Sequence, residues 1–170
     1  MTTTETTHQF KGVFPIAPTP FNEDESLDLL GQKRVLDCMV DQGVDGICIL
    51  ANYSEQFLLT DEERNTLLKL CLNHVAGRVP VIVTCSHFST RVALERALQA
   101  EAAGAQMLML MPPYHGATLR ADECGSFEHF SKIAQAVSIP LMVQDAPLSG
   151  VALSVSFLVR MAKELPHVNY

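Results

Sequence analysis

Short, wholly apolar runs alternate along this chain with longer segments of helical spacing, and the pattern recurs about every 30 residues, the size of a βαβ unit. Gly12–Phe21 is apolar and punctuated by proline. Leu27–Gly43 then places Leu27, Leu30, Val35, Leu36 and Met39 on one helical face and stops at Gln42-Gly43. Gly46–Leu50 is apolar throughout, as a strand buried on both faces must be. Thr60-Asp61-Glu62-Glu63 has the form of a capping box and opens a helix carrying Leu67, Leu68, Leu70, Cys71 and Val75, closed by Gly77. Val79–Cys85, Gln106–Met111 and Ile139–Val143 read as strands. Thr90–Gly104, about Ser126–Val137, and Val155–Leu165 read as helices. Val168-Asn169-Tyr170 opens a further strand.

The chain is thus α/β, with about five βα units and the start of a sixth strand. Continuously apolar strands alternating with helices mean a parallel sheet covered by helices. An open nucleotide-binding sheet carries a glycine-rich phosphate loop after its first strand. Here Pro18-Thr19-Pro20-Phe21 follows, with no glycine between Gly12 and Gly31. A (β/α)8 TIM barrel is the better expectation. A full barrel takes about 250 residues, so the 170 residues here supply its N-terminal part. Residues 1–9, a Thr-rich polar stretch without a basic start or apolar run, are expected to be a disordered tail, and 10–170 the barrel part.

Composition narrows the partners. At 48% hydrophobic and 18% charged the chain is too apolar to be intrinsically disordered. Its net charge of −7, with no basic cluster, argues against nucleic acid and anionic membrane surfaces. No apolar run nears the roughly 20 residues of a membrane helix. Cys38, Cys48, Cys71, Cys85 and Cys124 show no C-x-x-C spacing and read as reduced, mostly buried thiols of a cytoplasmic protein.

In a parallel sheet, chemistry sits on the loops after the strands. Here these are Pro18–Asp24, Ala51–Leu59, Ser86–Thr90, Pro112–Ala121 and Gln144–Gly150. Asn52, Tyr53 and Ser54 offer donors suited to a carboxylate, or form an ordinary polar turn. Glu55 could be a base, but the better reading is that it shapes the loop. Pro112-Pro113-Tyr114-His115-Gly116 sets an aromatic and an imidazole on a stiff segment, for packing or for chemistry. Asp145, in Gln144-Asp145-Ala146-Pro147, is either a hydrogen-bond anchor or a turn former. Cys85-Ser86-His87 invites a nucleophile or metal reading, yet neither has a second element at the required spacing. His74 and His129 lie on helices and are expected at the surface. Met107, Met109 and Met111 alternate along one strand as core residues.

Several of these stretches together resemble the dihydrodipicolinate synthase / N-acetylneuraminate lyase family of class I aldolase-type barrels. Gly12-Val-Phe-Pro-Ile-Ala-Pro-Thr-Pro-Phe21 is similar to its first strand, and Leu59-Thr-Asp-Glu-Glu-Arg64 to the start of its second helix. Met111-Pro-Pro-Tyr114 resembles its fourth strand end, and Ile139-Pro-Leu141 with Pro147 its fifth. The resemblance implies a (β/α)8 barrel, usually a homotetramer, acting on 2-oxo acids such as pyruvate. It implies no metal or organic cofactor. A lysine on the sixth strand forms a Schiff base with the 2-keto group, and the iminium then serves as an electron sink for bond breaking at C3. The loop after strand two holds the substrate carboxylate, a role that falls here on Asn52, Tyr53 and Ser54, with His87 as a further substrate contact.

Three positions depart from the family pattern. The Gly-(Ser/Thr)-Thr-Gly-Glu loop reads Ala51-Asn52-Tyr53-Ser54-Glu55, so its side-chain donors differ. The strand-five tyrosine, a proton shuttle in most members, is Gln144, which cannot exchange protons at neutral pH. The Schiff-base lysine is not among Lys11, Lys33, Lys69, Lys132 and Lys163; family spacing puts it one or two residues beyond Tyr170, in a longer chain. With Gln144-Asp145 in place of the tyrosine motif, the resemblance is nearest to the 2-keto-3-deoxy sugar-acid dehydratases, a pentonate being the first choice and a semialdehyde the product. Tyr114, His115, Gln144 and Asp145 are then the catalytic candidates. An aldolase or a dihydrodipicolinate synthase, a non-catalytic 2-oxo-acid-binding paralogue, and a half-barrel that pairs with another are the competing expectations.

Overall fold

A computed structural model of the chain describes residues 10–115, 119–146 and 149–170, apart from the side chains of His115 and Leu119. In chain order the elements are α1 (Leu29–Asp41), β1 (Ile47–Ile49), α2 (Asp61–Val75), β2 (Val81–Thr84), α3 (Thr90–Ala102) and β3 (Met107–Leu110). A small pair of strands follows, β4 (Tyr114–His115) and β5 (Leu119–Arg120), then α4 (Glu123–Ala134), β6 (Leu141–Val143) and α5 (Val155–Glu164). The chain divides into two compact units, one ending at Val81 and one running from Ile82 to Tyr170.

In the first unit an extended segment lies parallel beside β1. The amide of Cys48 donates to the Pro15 carbonyl (2.9 Å) and that of Ala17 to the Cys48 carbonyl (2.8 Å). The expected first strand over Gly12–Phe21 contracts to a bridge at Ile16, because Pro15, Pro18 and Pro20 have no N–H to give a ladder. On β1's other side the Ile47 amide donates to Pro80 (2.9 Å). Gly46 lets the two segments approach, since a Cβ there would collide with the Phe14 ring. Asp28 caps α1 by accepting from the Gly31 amide at 2.7 Å. Leu36 is fully buried, but Leu30, expected on the same face, is 67% exposed; Gly31 and Gln32 turn inward instead.

The Thr60 capping box forms as its spacing indicates: the Glu63 amide donates to Thr60 Oγ1 (3.2 Å) and the Thr60 amide to Glu63 Oε2 (2.8 Å). Leu67, Leu68, Cys71, Leu72 and Val75 form the buried side of α2, which packs against α1. Across that pair Asp37 accepts from Arg78 (2.8 Å) and meets His74 (2.9 Å). The Arg78 contact first, and His74 second, hold its carboxyl below the usual range. The Arg78 pair is solvent-exposed, where ion pairs contribute little, and the His74 contact is part-buried.

In the second unit β2, β3 and β6 lie side by side and parallel, with Val83 opposite Leu108 and Leu108 opposite Leu141. Every residue of β2 and β3 is buried, which explains why these strands are apolar without alternation. Pro140 delays β6 to Leu141, two residues after the expected start. Beyond α5 the chain returns alongside β6: the Leu141 amide donates to the His167 carbonyl, the Val143 amide to that of Tyr170, and Val168 bridges Leu141 in parallel. The expected sixth strand opens where the sequence places it.

Helices α3 and α4 pack together, Ala93, Ala97 and Ala100 of α3 being fully buried, as are Phe130 and Ile133 of α4. Helix α4 starts at Glu123, three residues before Ser126, because Asp122 accepts from the Gly125 amide (2.7 Å) and caps it there. The β4–β5 pair occupies a stretch that reads as loop. Its strands are two residues each, too short for a periodic signal. Met107, Met109 and Met111 are buried as expected. Cys48, Cys71 and Cys85 are buried, Cys38 and Cys124 exposed, and all are free thiols. Burial pushes the Cys71 thiol up to about 12, so it stays protonated and inert. Among the described residues no helix is long and apolar enough to cross a membrane.

Candidate active site

In the first unit the candidate residues sit on one short turn after β1, a single 3-10 turn over Asn52–Ser54. Leu50 (φ 56°) and Glu55 (φ 58°) bracket it in the left-handed region, which costs a non-glycine residue about 1–3 kcal/mol. Such conformations persist only where surrounding bonds impose them. Here the Ser54 amide donates to Ala51 (2.9 Å) and the Glu55 amide to Asn52 (3.1 Å). Ser54 is buried: its hydroxyl donates to the Ala17 carbonyl at 2.6 Å, and Thr19 Oγ1 donates to the Ser54 carbonyl at 2.8 Å. The single hydroxyl proton of Ser54 therefore ties the turn to the extended segment before it. Tyr53 is 80% exposed. Asn52 is half-buried, and its Oδ1 accepts from Gln56 Nε2 at 2.7 Å. Gln56 escaped the sequence reading; its one signal is the four-residue spacing from Asn52 across a turn. Glu55 points to solvent, and its backbone closes the turn.

In the second unit the candidates follow three neighbouring strand ends. After β2, Ser86 Oγ accepts from the Met111 amide (2.9 Å), joining the ends of β2 and β3. His87 Nδ1 accepts from the Ser89 amide (2.9 Å), so the neutral ring carries its proton on Nε2. The ring stacks on Phe88, with centroids 4.1 Å apart.

Thr90 Oγ1 and His129 Nδ1 are hydrogen-bonded at 3.0 Å, pinning the start of α3 to α4. His129 is not at the surface, as its place on a helix suggested, but 1% exposed, because α4 packs on α3 and Thr90 meets it there. Burial, and secondarily the charge of His87, pull its pKa down to about 4. Among the described residues its Nε2, like Ser126 Oγ one turn earlier, has no hydrogen-bond partner.

After β3, Tyr114 opens β4 opposite Arg120, is half-buried, and has its phenol pKa raised by that burial. It therefore stays protonated at neutral pH. The His115 side chain, Gly116 and Pro147 lie outside the described residues. After β6, the Gln144 amide donates to the Leu110 carbonyl (2.8 Å), while its Oε1 is buried without a partner among the described residues. Asp145 is exposed. The Arg120 guanidinium lies over Gly150, where a Cβ would come within 3.1 Å of it.

His87, Tyr114, Gln144 and Asp145 thus follow the C-terminal ends of parallel strands, the edge at which such sheets carry chemistry. Lys33, Lys69, Lys132 and Lys163 lie on helices and Lys11 precedes the first extended segment, so no lysine stands at a strand end among the described residues.

Within the second unit, parallel strands alternate with helices and carry polar side chains after their C-terminal ends, as the strands of a (β/α)8 barrel do. Residues 9–169 match the dihydrodipicolinate synthetase family, and the chain belongs to it. It is 55% identical over 168 residues to L-2-keto-3-deoxyarabonate dehydratase from Azospirillum brasilense, covering 99% of this chain and 54% of that protein. Dihydrodipicolinate synthase from Aquifex aeolicus superposes with a TM-score of 0.88 at 28% identity, over 94% of this chain and 53% of that one. The chloride-inhibited dihydrodipicolinate synthase from Acinetobacter baumannii, complexed with pyruvate, gives a TM-score of 0.87 at 28% identity over 93% and 53%. The chain spans about half the length of the curated relatives it matches. Its βα units are those of the family's (β/α)8 barrel.

Proposed function

We propose that this chain is part of a Schiff-base-forming lyase that removes water from a 2-keto-3-deoxy sugar acid, a pentonate, to give a semialdehyde. The observation that carries the reading is the 55% identity to the Azospirillum dehydratase over 99% of the chain. Gln144 adds to it: a 2-oxo-acid aldolase or synthase of this family would use a tyrosine there as proton shuttle, and an amide cannot serve.

In this proposal a lysine beyond Tyr170 condenses with the C2 ketone, releasing water and leaving an iminium. A base takes a proton from C3, and the electron pair enters the iminium to form an enamine. The enamine then expels the C4 hydroxyl as water once that oxygen is protonated. A base then takes a proton from C5 while C3 is reprotonated, which turns the unsaturated imine into a C4–C5 enol. The enol tautomerises to the aldehyde, and hydrolysis of the imine frees the lysine. Asn52 and Tyr53 supply donors to the substrate carboxylate from a turn that Ser54 holds in shape. Tyr114, kept neutral by burial, is placed to donate a proton rather than to take one. His87 presents Nε2–H as a donor, and His115 is the remaining imidazole for the proton transfers. Asp145, exposed beyond β6, is the carboxylate at hand for proton transfer, and Gln144 hydrogen-bonds a substrate hydroxyl. The protein works as a cytoplasmic homotetramer, without metal or organic cofactor.

The test is mass spectrometry after borohydride treatment with and without pyruvate. A pyruvate-dependent adduct on a lysine just past Tyr170 is the expected result, together with turnover of a 2-keto-3-deoxypentonate. No adduct would mean a binding protein without lysine chemistry. An adduct with carbon–carbon cleavage in place of water loss would mean an aldolase.

A further inference from the structure

The segment after β6 that opens with Gln144 is held at its start by a main-chain bond and further on by one buried side chain. We propose that Ser149 is a positioning residue that keeps Gln144 and Asp145 in place for the water-loss steps, without itself touching the substrate. This rests on the lyase reading and deepens it, by naming a residue on which its proton transfers depend.

Ser149 is 1% exposed. Main-chain groups from both sides converge on its hydroxyl. It donates to the Ala146 carbonyl at 2.9 Å, lies 3.2 Å from the Val151 carbonyl, and accepts from the Val151 amide at 3.1 Å. A hydroxyl has a single proton, so one carbonyl receives it at a time, and Ala146 is the nearer. The Ser149 amide also donates to Ala146, at 3.0 Å, so both donors of one residue hold a single carbonyl.

At the other end the Gln144 amide is tied to the Leu110 carbonyl at 2.8 Å. Asp145 therefore stands between two fixed points of main chain, one held from β3 and one by Ser149, although its own side chain is exposed. Gly150 makes the convergence possible. Its φ of 61° lies in the left-handed region, where the chain turns so that Val151 meets Ser149. A Cβ there would come within 3.1 Å of the Arg120 guanidinium, so conformation and space both exclude a side chain. Catalysis is sensitive to such placement, since a displacement of about 1 Å can lower a rate about a hundredfold.

The test is Ser149→Ala in the full-length enzyme. The expected result is a kcat for a 2-keto-3-deoxypentonate lowered at least about tenfold. Fixation of the same variant by borohydride and pyruvate stays at the wild-type level, because pyruvate has no C4 hydroxyl to lose and needs only the lysine. A role in folding alone would move both readouts or neither. Ser149→Thr keeps the hydroxyl and restores turnover. In a Gln144→Met background, Ser149→Ala lowers turnover by a smaller factor than in wild type, because it acts in part through Gln144. Gly150→Ala disturbs the same loop from the Arg120 side, gives the same pattern, and serves if Ser149→Ala does not fold.

Full turnover in both variants overturns the inference. So does a loss of turnover matched by an equal loss of pyruvate fixation, which marks a structural role only. If wild-type protein is not fixed by borohydride and pyruvate, the lyase reading fails and this inference fails with it. Wild-type fixation with turnover unmoved in the variants sinks the inference alone.

Discussion

In the turn after β1, Ser54 donates to Ala17, Thr19 donates to Ser54, and Gln56 donates to Asn52, all within one segment of the first unit. After β6, in the second unit, Gln144 leaves a buried Oε1 with no partner among the described residues, and Asp145 stands in solvent. The two regions occupy equivalent places, each following the C-terminal end of an apolar strand. The first uses its polar groups on itself, Gln56 Oε1 excepted, and so fixes a shape, down to two residues held in the left-handed region. The second leaves the Gln144 acceptor and the Asp145 carboxylate without partners among the described residues, and an unpaired buried acceptor costs stability. Between these extremes lies the segment after β2, where His87 is oriented by the Ser89 amide and Thr90 is fixed by the buried His129.

That contrast can be broken by measurement, and the largest expected effect concerns His129. Its folded pKa of about 4 lies below the 6.5 of an exposed histidine, so the unfolded chain binds the extra proton first. The stability it contributes is present above pH 6.5 and is lost as pH falls toward 4, on the order of 3 kcal/mol in all. Urea unfolding across that range should show the slope in wild type and a flatter profile in His129→Gln. Next comes Ser54→Ala, which strands the buried Ala17 carbonyl and should cost about 1–3 kcal/mol. A loss under about 0.5 kcal/mol would show that the turn does not depend on this bond. Thr60→Ala removes an N-cap and is expected to cost about 1 kcal/mol by the same assay. Smallest is Gln144→Met. Removing an acceptor that has no partner should leave stability within about 0.5 kcal/mol of wild type while turnover of the sugar acid falls. Marked destabilisation there would mean that Gln144 is structural and would erase the distinction between the two regions.

Most helices and buried strands were legible because their signals are local. Thr60 and Glu63 specify a cap within one turn, and β2 and β3 are apolar because both faces are covered. The misses required knowledge of neighbours. Leu30 falls on the apparent apolar face of α1, but the residues buried there are Gly31, Gln32 and Leu36. His129 looks like a surface histidine until α4 is laid on α3. The strand ends placed Asn52, Tyr53, Ser54, His87, Tyr114, Gln144 and Asp145 correctly in the fold, since a parallel sheet puts its loops there regardless of their content. What each side chain bonds to was not legible. Ser54 read as a ligand donor and is tied to Ala17, while Gln56, one residue past the motif, holds Asn52.

The main-chain bonds of the β1 turn, the Ser54 hydroxyl and Thr19 are made without the side chains at positions 52 and 53, although Asn52 is itself bonded to Gln56. Those two side chains can be exchanged in descent while the loop keeps its course. Changing them would alter the furnishings of a socket whose walls stand without them.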